Sequence, residues 1–424
     1  MRKILFSTII CGLSLSSVAQ TWQPMGTGLA GLVNTTVLYS GSIYSGGSFG
    51  FDGSFTTTLD NIARWNGTAW VAVGTGFDNP VEELLVFGTD LYACGSFTTA
   101  NGVSANRIAK YNGTTWSALG TGINGTVYAM EVYNGNLYAA GEFTMAGGVA
   151  VNNIAMWNGT AWSALGTGAN DRINTLAVYG GNLYAGGRFV SPGSYIAKWN
   201  GAAWSTVGTG ANDYVNDMEL HGTELAIAGD FGTPDNKITR WNGTSYSTGN
   251  PFGEGDCYTT VSYGSSIYIG GNYVGGNAVE FFNGTTFQPV NETSPYTTNS
   301  VYDLAVINGV LYAGGNFQSG NLQGIASWTA PLGIENPNTN FGNLSASPNP
   351  FTNSIIISMD IPNEMNLKLT ITNVLGESVY SEDLQNKTGE FKKEVDANLF
   401  TNGIYFVTLH SETGEFYSLK IVKN

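Results

Sequence analysis

The sequence predicts an all-β chain, a closed β-propeller of seven four-stranded sheets followed by a small C-terminal β-sandwich. Three observations carry this. A motif of aromatic, Asn and Gly returns every 41 to 46 residues. Glycine supplies 58 of 424 residues while only 11% are charged and 42% are hydrophobic, a balance that suits short strands and tight turns rather than disorder. The repeat is also out of phase with its own ends: it opens on a fourth strand and closes on a third, so its start can complete its last sheet.

From the N-terminus, Arg2 and Lys3 precede an apolar stretch from Ile4 to about Leu15, and Ser17-Val18-Ala19 offers a small-residue cleavage site. Residues 1–19 therefore read as a secretory signal, with Gln20 starting the mature chain. The apolar stretch is too short for a permanent bilayer span, so no integral membrane segment is expected after cleavage. Cys11 follows Ile10, where lipid attachment would want a small residue. The remaining cysteines, Cys94 and Cys257, fall in distant repeats without metal spacing and read as buried apolar residues.

Residues 20–330 hold the repeats. Trp65-Asn66-Gly67-Thr68-Ala69-Trp70 recurs from Tyr111, Trp157, Trp199, Trp241 and Phe282, and half-copies stand at Trp22 and Trp328. All ten tryptophans occupy the two aromatic positions of this motif. Four strand-like runs fill each unit, for example Val127–Tyr133, Leu137–Phe143, Asn153–Trp157 and Trp162–Gly166. Asn-Gly between the last two is a strong hairpin signal because both residues accept positive φ. Either a two- or a four-residue loop puts Trp157 and Trp162 on one sheet face, where they can pack. Four strands at this period signify a propeller, and Trp22 should complete the blade that Trp328 leaves open.

Residues 331–344, rich in Pro, Asn and Gly, form the expected linker. Beyond it tryptophan disappears and longer alternating strands follow, Ile355–Met359, Leu367–Ile371, Gly403–Leu409 and Tyr417–Val422, as in a small sandwich.

The recurring Ile-Ala-x-Trp-Asn-Gly and Leu-Tyr-x-Gly-Gly-x-Phe runs are kelch-like in plan. They resemble secreted bacterial propellers and, more weakly, fungal cortical cell-polarity marker proteins. That resemblance implies a scaffold and carries no catalytic motif. The segment 345–424 resembles the type A C-terminal sorting domain of the Bacteroidota type IX secretion system. The match lies in Ser347-Pro348-Asn349-Pro350-Phe351, in Leu369 to Gly376, in Leu399 to Phe406 with Gly403 and Tyr405, and in a basic end with Lys420 and Lys423. The resemblance implies recognition by the outer-membrane translocon after export and delivery to the cell surface or the medium.

Net charge is −15, from 16 basic and 31 acidic residues, so neither nucleic acid nor an anionic membrane is an expected partner. His221 and His410 are the only histidines, His221 in a turn-like Leu-His-Gly. No zinc spacing, nucleophile triad, P-loop or dinucleotide fingerprint occurs, and no cofactor or metal is expected. Function should then lie on the ring face formed by the loops after strands two and four, which vary between units. Glu142, Arg188 and Asp230 precede the strand-two aromatic, and Asp171, Arg172, Asp213 and Tyr214 follow the Gly-Thr-Gly turns. This set suits a surface for glycan or protein. The alternative is a polysaccharide-degrading enzyme using a carboxylate pair, Glu142 with Asp230 or Asp171 with Asp213. Asx-rich loops could also take Ca²⁺ through oxygen ligands, although no EF-hand pattern is present.

Overall fold

The structure is a computed structural model. It describes residues 22–232, 237–247, 255–264, 266–273, 278–282, 287–290, 300–319, 322–328, 345–373, 378–411 and 416–423. The expected signal peptide, the start at Gln20, the linker and Gly376 lie outside these residues.

Among the described residues there are strands and no helices. Beside two short two-stranded hairpins, the described residues of the repeats form seven antiparallel sheets, six of four strands and one of three. Their first strands are Leu29–Tyr39, Val81–Phe87, Thr126–Tyr133, Ile173–Tyr179, Val215–His221, Gly255–Tyr263 and Ser300–Ile307. Each first strand packs against that of the next sheet, and the last packs back on Leu29–Tyr39, so the seven follow one another in a cycle. Later strands of a sheet pair outward in chain order.

The start of the described chain completes the last sheet, as its phase predicts. Gln23 pairs with Ser327 and Pro24 with Ala326, and Trp22 lies 6.4 Å from Trp328. The edge that residues 300–328 would leave open is thereby paired.

At the outer edge the two aromatics of each motif sit directly opposite one another. Trp157 pairs with Trp162 across a four-residue loop, ring centroids 5.3 Å apart, and Trp65–Trp70 and Trp199–Trp204 repeat this at 5.4 and 5.5 Å. In the loop the Asn158 Oδ1 accepts bonds from the Thr160 and Ala161 amides, both 2.9 Å. Gly159 takes φ +93°, which a side chain would resist. The described hairpin triplets at Asn66, Asn112, Asn158 and Asn242 thus shape turns, their Asn oxygens already engaged. Trp162 Nε1 reaches back 3.0 Å to Leu119 O of the preceding unit, and Trp204 Nε1 likewise to Leu165 O.

Neighbouring sheets meet through small residues on second strands. A Cβ on Gly186 would come 2.4 Å from Val215 Cγ1 of the next unit, one on Gly46 2.6 Å from Val81, and one on Gly314 2.7 Å from Val33. The last contact closes the cycle. Cys94 and Cys257 are fully buried and form no disulfide. His221, expected in a solvated turn, instead ends a first strand, half-buried, with Nδ1 3.1 Å from Ser262 Oγ. The side chain of His410 lies outside the described residues.

In the C-terminal module, strands expected to be separate are joined. Ile355–Met359 and Leu367–Ile371 both belong to the 20-residue strand Ser354–Asn373, which pairs along its length with the 19-residue strand Ser378–Asp396. Those two strands draw all five of the module into one hydrogen-bonded sheet over a single core from Phe351 to Ile421.

Candidate functional site

All seven first strands carry the same irregularity. Pairing with the second strand skips one residue, giving β-bulges at Asn34, Glu82, Tyr128, Asn174, Asn216, Tyr258 and Tyr302. A bulge bends the strand and re-aims a side chain. Here the bulges fall at equivalent positions near one end of the central cavity, a space of about 400 Å³ lined by residues from all seven first strands.

Where the bulge residue is asparagine, it fastens one unit to the next. Asn34 Nδ2 donates to Val81 O at 3.1 Å, Asn174 Nδ2 to Val215 O at 2.9 Å and Asn216 Nδ2 to Cys257 O at 3.0 Å. The following residue makes a second fastening. Thr35 Oγ1 accepts from Leu84 N (3.1 Å), Glu83 accepts from Met130 N, and Asp217 Oδ2 accepts from Thr260 N (2.7 Å). Two kinds of cross-unit bond thus line the cavity, and the buried carboxylates Glu83 and Asp217 belong to them. Burial pushes the Glu83, Asp217 and Asp303 carboxyls up, with Glu219 and Asp303 raised to about 7. Among the described residues, no group of three or more His, Cys, Asp or Glu side chains is placed to hold a metal ion.

Four bulges depart from asparagine, and they make a surface. Tyr258 and Tyr302, from adjacent units, stack with planes 2° apart and centroids 4.8 Å apart. Tyr258 Oη donates to Asp256 Oδ2 at 3.3 Å. Tyr128 lies beneath Arg172, whose Cζ is 3.4 Å from the ring centroid. Glu82 accepts from Asn34 Nδ2 at 3.0 Å.

The seven residues singled out from sequence fall beside these bulges. Arg172 and Arg188 are directly opposed on one hairpin, Arg188 N donating to Arg172 O at 2.8 Å. Burial lowers the pKa of Arg172, and the nearby Arg188 charge acts in the same direction. The Arg188 guanidinium stands 4.8 Å over the Tyr214 ring, and Tyr214 meets Tyr195 at 6.0 Å. Glu142 is exposed and within electrostatic reach of Arg172. Asp230 N donates to Tyr214 O (2.9 Å), and its Oδ1 accepts from Asn216 Nδ2 (2.9 Å). Burial raises the Asp230 carboxyl, and Asp256 and Asp213 push it the same way. Asp171 and Asp213 each accept from the next backbone amide, at 2.7 and 2.8 Å, and so shape their own loops. The structure therefore joins Arg172, Arg188 and Tyr214, with Asp230 bonded to the Tyr214 backbone and Asp213 within electrostatic reach of Asp230.

Sequence reasoning missed Tyr128, Tyr195, Asp256, Tyr258 and Tyr302. A signal did exist. The residue after the apolar start of each first strand, Val33, Val81, Val127, Ile173, Val215, Cys257 or Val301, is the bulge residue, and that column changes between Asn, Glu and Tyr behind a column that stays apolar.

The sorting residues converge as well. Asn349 Oδ1 accepts from Val422 N (2.9 Å), and Phe351 N donates to Val422 O (2.9 Å), tying the Pro348-Asn349-Pro350 segment to the last strand. Lys423 Nζ donates to Ala397 O at 2.6 Å and is buried. Tyr405 Oη donates to Thr401 O at 2.7 Å, and Gly403 pairs with Lys423. Lys420 pairs with Phe406 on the same two strands.

Comparison with known proteins agrees with both halves. Residues 345–424 match the secretion system C-terminal sorting domain, and residues 76–226 match the Rax2 C-terminal beta propeller domain. A search of curated proteins finds no match. Among solved structures, the computationally designed Ika8 protein is similar at 11% identity and a TM-score of 0.47, over 72% of this chain and 99% of that one. No helix among the described residues is long and apolar enough to cross a membrane. The chain thus joins a β-propeller to a sorting domain that supports type IX export to the cell surface or the medium.

Proposed function

We propose that this is an exported seven-bladed propeller that binds a glycan or protein ligand, without chemistry, on the ring face bearing the bulges. One observation carries the reading: the asparagine that fastens units together gives way to Tyr128, Tyr258 and Tyr302 at one mouth of the ring, where each stays partly or fully exposed. Flat rings with a polar edge are what sugar and protein interfaces use, because they offer large contact area at low entropic cost. The bulge tyrosines replace the cross-unit hydrogen bond with ring contacts and keep part of their surface exposed to a ligand.

A second reading has one specific support. Burial raises the Asp230 carboxyl and Asp256 and Asp213 act in the same direction, which makes Asp230 the candidate general acid. Under that reading the same face would cleave polysaccharide.

Purified chain passed over immobilised polysaccharides, with released reducing ends assayed in parallel, separates the two. Retention without release, weakened roughly ten-fold or more by Tyr128→Ala or Tyr302→Ala, supports binding. Turnover abolished by Asp230→Asn establishes the enzyme instead.

A further inference from the structure

The arginine pair is the strongest unexplained feature. Arg172 and Arg188 face each other across a hairpin, and like charges opposed in this way are destabilising. The chain is acidic overall, yet neither guanidinium makes an ion pair or side-chain hydrogen bond with a described residue. Glu82 and Glu142 act on Arg172 only from beyond ion-pair distance. Four of the six other described cations of the repeats are engaged, all but Arg64 and Lys198. Arg107 donates to Phe97 O at 3.0 Å, Lys110 meets Asp90 at 3.0 Å, Lys237 donates to Asp230 O at 2.8 Å, and Arg240 meets Glu224 at 3.0 Å.

What does hold the two arginines is aromatic. Tyr128 of the preceding unit lies under Arg172, and Tyr214 of the following unit lies under Arg188. Stacking on a ring orients a guanidinium while leaving its edge nitrogens to a ligand. Arg172 Nε is buried without a partner, so the head group is held in place by packing rather than by acceptors. Two oriented forks, each lying over a partly exposed tyrosine, call for a ligand that brings planar negative charge together with C–H surface to pack beside the rings.

Resting on the glycan-binding reading above, we propose that Arg172 and Arg188, with Tyr128 and Tyr214, form a subsite for the carboxylate of a uronic acid within a polysaccharide. The planar carboxylate takes parallel N–H bonds from a guanidinium edge, and the sugar's C–H face lies on a tyrosine. The overall charge of −15 repels polyanions at large, so attraction is confined to this pair.

The test uses the full chain with three polymers: polygalacturonic acid, the same polymer with its carboxyls reduced to alcohols, and dextran sulfate. Expected are retention of polygalacturonic acid, at least ten-fold weaker binding of the reduced polymer, and a loss of ten-fold or more in Arg172→Gln and Arg188→Gln. Arg188→Lys fails to restore binding, since an ammonium lacks the fork. Arg188 is exposed, so Arg188→Gln should fold, and its melting temperature stays level or rises because a like-charge contact is removed. Binding of the reduced polymer at full strength, unchanged in either arginine variant, overturns the subsite and leaves the glycan reading intact. Equal binding of dextran sulfate overturns carboxylate selectivity. A failure to retain any of the polymers overturns the uronate subsite, while retention of neutral or other glycans in the broader screen would still uphold the reading beneath it.

Discussion

At the outer edge of the ring, Trp65 meets Trp70, Trp157 meets Trp162 and Trp199 meets Trp204, all within 5.3 to 5.5 Å. At the inner edge the bulge column of the same seven units reads Asn34, Glu82, Tyr128, Asn174, Asn216, Tyr258 and Tyr302. The rim repeats because each hairpin faces one problem, covering the edge of its own sheet. The throat varies because the fastening duty is shared around a circle, and three asparagines plus Thr35, Glu83 and Asp217 already supply it. Positions released from that duty are the ones that can serve a ligand.

The largest test of this contrast sets a rim aromatic against a throat aromatic. Trp162→Ala removes a buried ring and its bond to Leu119 O, and should cost about 3–5 kcal/mol in chemical denaturation. Tyr302→Ala, at an exposed position, should change stability by roughly 0.5 kcal/mol or less while weakening ligand binding. Similar losses in both would make the tyrosine structural.

Next is the contact between units. Gly186→Ala drives a methyl to 2.4 Å from Val215 Cγ1, and the expected cost is about 1–3 kcal/mol. The same substitution at Gly135, which has open space around it, tests backbone strain alone, because its φ is +74°. A loss at Gly186 no larger than at Gly135 would mean that the sheets do not pack through this glycine.

A further test concerns the acidic cavity. Glu219 and Asp303 titrate near 7 when folded, chiefly through burial, against 4.5 and 3.8 ordinarily. Between those values the folded chain keeps protons that the unfolded chain has released, so stability falls as pH rises from about 4.5 to about 7. Thermal melts should therefore run higher near pH 5 than near pH 8, and Glu219→Gln should narrow the gap. A melting temperature that climbs across this window would place the carboxylates in a more solvated setting.

How much of this is legible in the sequence follows from where each signal resides. The aromatic hairpins, the phase of the ends and the sorting segment are local or periodic, so the motif alone assigns Trp22 to the sheet of Trp328. The loop candidates Arg172, Arg188 and Tyr214 are legible too, because they interrupt a repeat. The bulge tyrosines are legible only as a changing column once the units are aligned, since a bulge breaks the two-residue alternation by which strands are read.

Sequence alone determined the strand order, the turns and the repeating rim, because each depends on neighbours within one unit. Only the tertiary structure decided which side chains meet across units: Tyr128 beneath Arg172, Tyr258 on Tyr302, and Asn349 against Val422, 73 residues away. Those meetings are set by the curvature of the whole ring and by the fold-back of the last strand, and no window of the chain contains either.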